Sequence, residues 1–382
     1  MPDLNQAPTL ERIVDELTAD FAATAADYDR ASAFPFANFE RLADAGLLSL
    51  TVPRKLGGGG AGLAEAIKVV GGIARGEPST ALVLAMQYAT HATIGARRWP
   101  EHVAERLGRE AVAGVSLINA LRVEPELGTP ARGGLPATIA SRTGTGWRLS
   151  GHKIYSTGIP ALSWLAVWAR TDGENPRVGT FLVPAKATGI RVIETWDHLG
   201  MRATGSHDVI LEGVEIPADH AVDIRPPAEW AGTDPVQVGW STLLVAAVYD
   251  GIARAARDWL VGFLQNRRPA NLGAALATLP RMQEAVGEIE TLLASNARLL
   301  RSAAVDVDDG RPPAATETGM LKSVVTNNAI AAVEIAMKLT GNHGVSRLNT
   351  LERHHRDVVC ARIHTPQDDS VRIAAGRLAL QV

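Results

Sequence analysis

Residues 147–158 read WRLSGHKIYSTG, a short strand-like run that ends in a Ser-Thr-Gly turn. Similar short runs, interrupted by glycine and proline, continue from about Ala113 to about Val222. They include residues 164–169, 180–183 and 209–211. This pattern of short strand-like runs separated by glycine and proline predicts a strand-and-turn domain over residues 114–222.

Helical periodicity dominates on both sides of this region. Before it, Leu10, Ile13, Val14 and Leu17 recur at the spacing of one helix face, and similar patterns cover 63–74 and about 81–97. After it, long helices are predicted over about 240–265, 279–304, 315–340 and 350–364. The order predicts an α+β fold: an N-terminal helical domain (1–113), a central β domain (114–222) and a C-terminal helical bundle (223–382).

The composition excludes several classes of protein. The chain of 382 residues has a net charge of −3, so it has no basic excess for nucleic acid. Its single cysteine, Cys360, excludes a disulfide framework and fits a reducing cytosol. The first residues contain no apolar signal core, and we expect no apolar run long enough to span a membrane. We therefore expect a cytoplasmic protein that contacts neither nucleic acid nor membrane.

One motif suggests a different cofactor. Gly57, Gly59 and Gly62 match the G-x-G-x-x-G fingerprint of dinucleotide-binding folds. That fingerprint requires a strand, a helix and a second strand, whereas another helix follows here. Residues 53–55 (PRK) also separate the preceding apolar stretch from the glycines. We interpret the motif as a glycine-rich loop between helices.

Metal-site chemistry is also disfavoured. His355, Cys360 and His364 have spacings that a metal site could use. Arginines at 353, 356 and 362 are interleaved with them, and cations do not favour a second cation. No metal site is predicted.

Several stretches, in order along nearly the whole chain, resemble motifs of the acyl-CoA dehydrogenase superfamily. They are LLSLTVP (47–53) with LGG (56–58), EP (124–125) with GT (128–129), KIYSTG (153–158), LGMR (199–202) with VEIP (214–217), and GNHG (341–344) with ER (352–353) and RD (356–357). The resemblance implies a helical domain, a β domain, a C-terminal four-helix bundle, and a bound flavin, FAD or FMN.

The resemblance also implies which residues hold the flavin. A flavin ring has polar edges that need hydrogen bonds, which Ser156 and Thr157 could supply while Tyr155 flanks the ring. Arg267 falls where a diphosphate-binding arginine reaches a neighbouring subunit's cofactor. The remaining residues implied to contact the cofactor are Asn119, Gly128, Thr129 and Gly341. A Ser-Thr-Gly turn after a strand and an arginine at a helix C-terminus are the alternative, purely structural interpretations.

The sequence departs from the dehydrogenases at the catalytic base. Those enzymes need a carboxylate that takes the α-proton of the substrate, at one of two positions. The matching residues are Thr365 and Ser241, and an alcohol cannot replace either carboxylate because its pKa is far above neutral. Dehydrogenation of an acyl-CoA is therefore the alternative function rather than the first choice.

The C-terminus resembles another branch of the superfamily more closely. ARIHT (361–365) is similar to the flavin-side histidine motif of reduced-flavin monooxygenases, such as dibenzothiophene monooxygenase and p-hydroxyphenylacetate hydroxylase. ATGSHDV (203–209) is similar to a second motif of that branch. The resemblance implies that His364 and His91 are catalytic, although a helix histidine is also often a core residue.

The partners follow from the two functions. Both imply a small-molecule substrate, which is an acyl-CoA for the dehydrogenase. The monooxygenase would also need a flavin reductase. The apolar helices of the last third and the position of Arg267 imply a homo-oligomer, a tetramer or a dimer.

Overall fold

A computed structural model describes residues 9–94, 99–128, 134–230 and 234–381. The chain begins with helices, as predicted, and the described helices of this part are α1 (Leu10–Ala31), α2 (Phe36–Asp44), α3 (Leu63–Gly76), α4 (Pro78–Ile94) and α5 (Glu101–Ala113). The pattern analysis did not predict α5. Its buried residues, Val103, Leu107, Gly108 and Ala111, do recur at the spacing of one helix face, so the periodic signal was present in the sequence.

Helix α1 shows why these residues become helical. Val14, Leu17, Phe21 and Ala25 are buried and recur every three or four residues, so they form one face. This face packs against α3, where the helices approach closely at Gly72: a Cβ there would lie 2.4 Å from the Val14 Cγ1 atom. Any larger residue would push the two helices apart.

The central region is one mixed sheet of eight strands. They are β1 (Leu117–Leu121), β2 (Ile139–Arg142), β3 (Gly146–Lys153), β4 (Leu162–Thr171), β5 (Val178–Pro184), β6 (Ile190–Ile193), β7 (Asp208–Pro217) and β8 (Ala221–Arg225). Their order is β6-β7-β3-β2-β4-β5-β8, and β1 pairs with β4 in parallel. The sheet brings the ends of β1, β3 and β4 together, which positions the site described below.

The chain ends in a helical bundle. Its described helices are α6 (Pro235–Asn266), α7 (Pro280–Asp308), α8 (Ala315–Thr340), α9 (Asn342–Val345), α10 (Leu351–Val358) and α11 (Asp368–Leu380). The helix predicted over 350–364 is too long, because α10 ends at Val358 and a 3₁₀ turn follows to Arg362. The α+β order of helices, strands and helices is confirmed, whereas the exact domain limits stay predictions.

Helix α6 corrects one expectation. It is long and apolar enough to cross a membrane by length and composition alone, contrary to the sequence-based expectation. However, 78% of its most apolar window is buried inside the protein, which is typical of a core helix. Long core helices and membrane spans give the same signal in sequence.

The glycine-rich loop packs tightly onto its own domain. The backbone N–H groups of Gly59 and Gly60 donate to the carbonyls of Ser49 and Val52, at 3.1 and 2.9 Å. The N-terminus of α3, which follows the loop, is capped by the Asp308 carboxylate, which accepts the Leu63 and Ala64 N–H groups at 2.6 and 2.9 Å. A carboxylate of the chain itself therefore occupies the place where a dinucleotide phosphate would bind.

Candidate functional site

The turn that follows β3 is the centre of the predicted cofactor site. Its backbone is fixed by the 204–207 loop: the Ser156 N–H donates to the His207 carbonyl at 3.1 Å, and the Gly158 N–H donates to the Thr204 carbonyl at 2.9 Å. Tyr155 has a positive φ of 56° and an exposed ring. Such a backbone persists only where neighbouring structure imposes it, and it turns the Tyr155 ring outward.

Hydroxyl groups line this turn. Ser206 Oγ donates to Thr157 Oγ1 at 3.0 Å, and Ser206 and Thr204 share a hydrogen bond of 2.8 Å. The Thr157 hydroxyl therefore keeps its own proton available. On the other side, the Asn119 amide of β1 donates to the Thr157 carbonyl at 2.9 Å. The structure thus brings Asn119, Tyr155, Ser156 and Thr157 together, as the sequence predicts.

One buried polar atom at this turn has no partner. Ser156 Oγ is buried, and no described residue forms a hydrogen bond with it. Leaving such a group unsatisfied costs about 1–3 kcal/mol. A flavin ring has N–H, nitrogen and carbonyl groups along one edge, so a free hydroxyl beside the Thr157 hydroxyl fits that edge. The residues present are compatible with a flavin.

A buried ion pair holds the strand that leads into the turn. Lys153 is fully buried and donates to Glu124 Oε1 at 2.6 Å. Glu124 also accepts the backbone N–H groups of Ala137 and Thr138, at 2.6 and 3.0 Å. Burial lowers the pKa of Lys153 to about 8, although the Glu124 carboxylate opposes that shift. The motif glutamate is therefore a structural anchor rather than a free base.

The loop after Glu124 contains two further predicted cofactor residues. Gly128 has a φ of 67°, and its N–H donates to the Glu124 carbonyl at 2.9 Å, which closes the loop. A side chain at this φ would be strained. Thr129 lies outside the described residues.

His364 lies in the C-terminal region, next to a buried tyrosine. Its Nδ1 atom is 2.6 Å from the hydroxyl of Tyr249, which is on α6. Burial and, to a smaller extent, the nearby Lys322 ammonium lower the pKa of His364 to about 4. Burial also raises the pKa of Tyr249 well above its usual value. Both groups are therefore neutral near pH 7.

Lys322 fixes the loop that carries His364. This buried ammonium group on α8 donates to the carbonyls of Ala361, His364 and Pro366, at 3.1, 2.9 and 3.1 Å. Sequence reasoning missed both Lys322 and Tyr249. The signal in the sequence was weak, because the buried faces of α6 and α8 contain other polar residues as well.

The two residues that the family resemblance matches to the catalytic base lie at the surface. Thr365 is exposed beside His364. Ser241 is exposed on α6, and its hydroxyl donates to the Gln237 carbonyl at 2.9 Å. Neither residue carries a carboxylate.

His91 lies in a separate cleft. It is 3% exposed and lines a cleft of about 250 Å³ with Leu56, Ile94, Trp99 and Glu105 among others. Burial lowers its pKa to about 4. On the same face of α4, Gln87 bonds to β1 and Val83 contacts Gly158 of the turn, so His91 is two helical turns from that contact. No described contact brings His91 and His364 together.

Arg267 and Gly341 lie at one end of the helical bundle. Arg267 is the exposed C-terminal cap of α6, and Gly341 ends α8 with a φ of 53°. The rings of Phe263 and His343, next to these two residues, are 5.1 Å apart. The two predicted cofactor residues thus lie at the same end of the bundle, remote in sequence from the turn at Thr157. The expectation that they contact another subunit's cofactor stays a prediction.

Among the described residues, no three histidine, cysteine or acidic side chains come together as metal ligands. Within the histidine and cysteine group considered above, His364 bonds to Tyr249, and the Cys360 thiol lies 3.5 Å from the Arg356 carbonyl.

Comparison with protein families agrees with this architecture. Residues 8–97, 122–214 and 236–369 match the N-terminal, middle and C-terminal domains of the acyl-CoA dehydrogenases. A putative acyl-CoA dehydrogenase of Bacillus subtilis, YdbM, is 34% identical over 94% of this chain and 92% of its own length. L-evernosamine nitrososynthase of a Micromonospora species is 30% identical over 88% of this chain and 81% of its own length.

A solved structure shows the same fold with a flavin bound. KijD3, in complex with FMN and a dTDP-linked amino sugar, superimposes with a TM-score of 0.86 at 28% identity, over 99% of this chain and 96% of that one. The relatives thus include dehydrogenases and a nitrososynthase. The predicted flavin cofactor is confirmed at this level, and the chain belongs to the acyl-CoA dehydrogenase superfamily of flavin-dependent oxidoreductases.

Proposed function

We propose that this protein is a monooxygenase that uses reduced flavin and oxygen on a small-molecule substrate. The observation that carries the proposal is the neutral His364–Tyr249 pair, which stands beside the position where a dehydrogenase has its carboxylate base. At that position Thr365 has no acidic group, and Ser241 has none at the second position. Loss of a positioned base lowers a rate by about 10²–10⁴.

The pair is suited to holding a proton rather than removing one from carbon. With the imidazole neutral, Nδ1 either accepts a hydrogen bond from the Tyr249 hydroxyl or, in the other tautomer, donates its N–H to the hydroxyl oxygen. A neutral imidazole can hydrogen-bond a reactive oxygen or accept a substrate proton near pH 7. Lys322 prevents the loop from moving, because it binds three of its carbonyls.

Ser156, Thr157 and Asn119 would hold the flavin ring, and Tyr155 would flank it. The flavin supplies electrons to oxygen when an external donor has reduced it. The fixed turn supplies hydroxyl donors without reorganisation, because Ser206, Thr204 and Asn119 already hold Thr157.

Two relatives support this choice. KijD3 binds FMN and a dTDP-linked amino sugar, and the Micromonospora relative is named for forming a nitroso compound from an amino sugar. We infer that the acceptor is a nitrogen or carbon of a small molecule. A flavin reductase would supply the reduced flavin, and the protein would act in the cytoplasm as a homo-oligomer.

A second candidate function is oxidation of an acyl-CoA by bound FAD. The 34% identity to a putative acyl-CoA dehydrogenase favours it. In that case a residue other than Thr365 or Ser241 must take the α-proton, and His364 is the basic side chain adjacent to Thr365 in the sequence.

Stopped-flow mixing tests the proposal. Protein carrying reduced FMN or FAD is mixed with oxygen, and flavin reoxidation and hydrogen peroxide release are recorded for wild type and His364→Ala. We expect slow reoxidation in wild type and faster reoxidation with more peroxide in the variant. Identical traces for both proteins would contradict the proposed role of His364.

A further inference from the structure

A second cleft shares no lining residue with the His91 cleft. It has a volume of about 310 Å³ and lies between the end of α1, the 198–202 loop and the segment 347–356. Its lining includes five arginines and only two carboxylates, Asp29 and Glu352. The five arginines are Arg30, Arg202, Arg347, Arg353 and Arg356.

Arg356 already satisfies both of these carboxylates. It donates to Asp29 Oδ1 and Oδ2 at 2.9 and 2.6 Å, and to Glu352 Oε1 and Oε2 at 3.0 and 2.8 Å. Because the Arg356 guanidinium already binds the carboxylates of Asp29 and Glu352, these carboxylates do not compete for the remaining arginines of the cleft.

Two arginines of the cleft have donors to spare. Arg353 is only 5% exposed, its Nε atom is buried, and its guanidinium forms no hydrogen bond with any described residue. The buried Glu77 and Asp357 carboxylates act on it only through their charge. Arg347 is exposed at the rim and likewise has no ion pair within the described ranges. An oxygen-bearing anion is the ligand that the unpartnered Nε–H of Arg353 and the exposed guanidinium of Arg347 favour.

The N-terminus of α10 also lies at this cleft. Thr350 and Asn349 line the cleft, and the Thr350 side chain does not cap the helix. The free N–H groups of Leu351, Glu352 and Arg353 therefore begin at the cleft. A helix N-terminus with nearby arginines is a typical phosphate-binding arrangement.

The cleft also adjoins the predicted flavin site. His198 lines the cleft, and its ring lies 6.0 Å from the Tyr155 ring and stacks on Trp196 at 3.6 Å. A molecule anchored in the cleft could therefore extend toward the turn at Thr157.

We propose that this arginine cleft, formed by Arg347, Arg353 and the N-terminus of α10, binds the phosphate group of a phosphorylated small molecule. The phosphate has two sources: the flavin's own phosphate or that of a separate ligand. This proposal rests on the proposed function only in that the cleft adjoins Tyr155 of the predicted flavin site.

The test is calorimetric titration of inorganic pyrophosphate into the full-length protein. We expect saturable binding that weakens about tenfold in Arg347→Gln, since a hydrogen bond to a charged group contributes roughly that factor. Arg353→Lys keeps the positive charge but loses the planar guanidinium, which can donate two parallel hydrogen bonds to a phosphate. It should therefore weaken binding by a similar factor. Arg298→Gln, which removes an exposed arginine of α7, should leave binding unchanged.

Repeating the titration with saturating FMN distinguishes the sources. Binding that disappears with FMN, together with an FMN preference over riboflavin that Arg347→Gln abolishes, assigns the cleft to the cofactor's phosphate. Binding that persists beside FMN assigns it to another phosphorylated ligand. No binding to wild type, or equal weakening by Arg347→Gln and Arg298→Gln, would overturn the proposal. No turnover is needed, so a failure of the monooxygenase proposal would leave this result interpretable.

Discussion

The His364 pocket and the His91 cleft both contain a neutral imidazole, yet they differ in what surrounds it. Burial lowers both pKa values to about 4. His364 shares a hydrogen bond with Tyr249, and its loop is fixed by Lys322. His91 lies in a cleft formed by the N-terminal helices and the loop around Pro53.

The comparison shows that a shifted pKa does not by itself identify a catalytic group. The two shifts have the same direction, value and main cause, so only the neighbours distinguish the residues. A hydrogen-bond partner that orients the imidazole makes His364 the better candidate for chemistry. His91 fits a residue that lines a binding cleft, although its predicted catalytic role remains open to test.

Replacing each histidine gives the largest expected difference. We expect His364→Ala to lower coupled product formation about 100-fold, because a positioned proton carrier is lost. His91→Ala should change it less than about tenfold, as a cleft contact would. Product and peroxide per reduced flavin are measured for both variants. A larger loss in His91→Ala would reverse the assignment.

Removing the tyrosine hydroxyl should have a smaller effect. Tyr249→Phe takes away the hydrogen-bond partner of His364 Nδ1, so we expect about a tenfold loss of coupled turnover. Tyr88→Phe is the matched control, because the buried Tyr88 hydroxyl donates to the Leu47 carbonyl at 2.7 Å away from this pocket. Both variants should lose similar stability in denaturant unfolding. Equal activity losses would show that the effect is structural.

The pH dependence of stability should be alike for the two histidines. Their folded pKa values lie below the usual 6.5, so the unfolded chain binds protons that the folded chain does not as the pH falls from 6.5 to 4. Each histidine therefore lowers stability over that window, by roughly 3 kcal/mol, because one unit of pKa shift corresponds to about 1.4 kcal/mol. Asp357, whose pKa burial raises to about 7, acts in the opposite direction.

Glutamine variants isolate these contributions. His91→Gln and His364→Gln should each flatten the fall in unfolding free energy between pH 6.5 and pH 4, as measured by urea titrations. If only one variant flattens it, the other histidine does not have the low folded pKa.

The smallest expected effect concerns the turn. Ser156→Ala should weaken flavin binding about threefold, since it removes one hydrogen bond to the ring. Ser49→Ala, at another buried serine, is the control. Calorimetry with FMN and FAD measures the change. Unaltered affinity in Ser156→Ala would indicate that its hydroxyl faces away from the flavin.

Sequence predicted the fold and the turn because both depend on local chemistry. The buried residues of a helix face, such as that of α1, recur at regular intervals in the sequence. The hydroxyls of Ser156 and Thr157 are consecutive in the chain. The long core helix α6 was predicted, but its burial is visible only in the tertiary structure.

The remaining features depend on contacts between distant segments. Tyr249 and His364 are 115 residues apart, and Lys322 reaches carbonyls about 40 residues away. Neither pairing leaves a pattern in a single sequence. The separation of His91 from His364 is likewise a property of packing, which motif resemblance cannot supply.

Anaerobic mixing of the oxidised, flavin-loaded protein with a series of acyl-CoA thioesters tests the central claim most directly. Flavin absorbance reports whether electrons leave the substrate carbon. Because Thr365 and Ser241 provide no base, we predict no bleaching of the flavin by any chain length. Rapid bleaching that persists in His364→Ala would contradict the account and establish the dehydrogenase function instead.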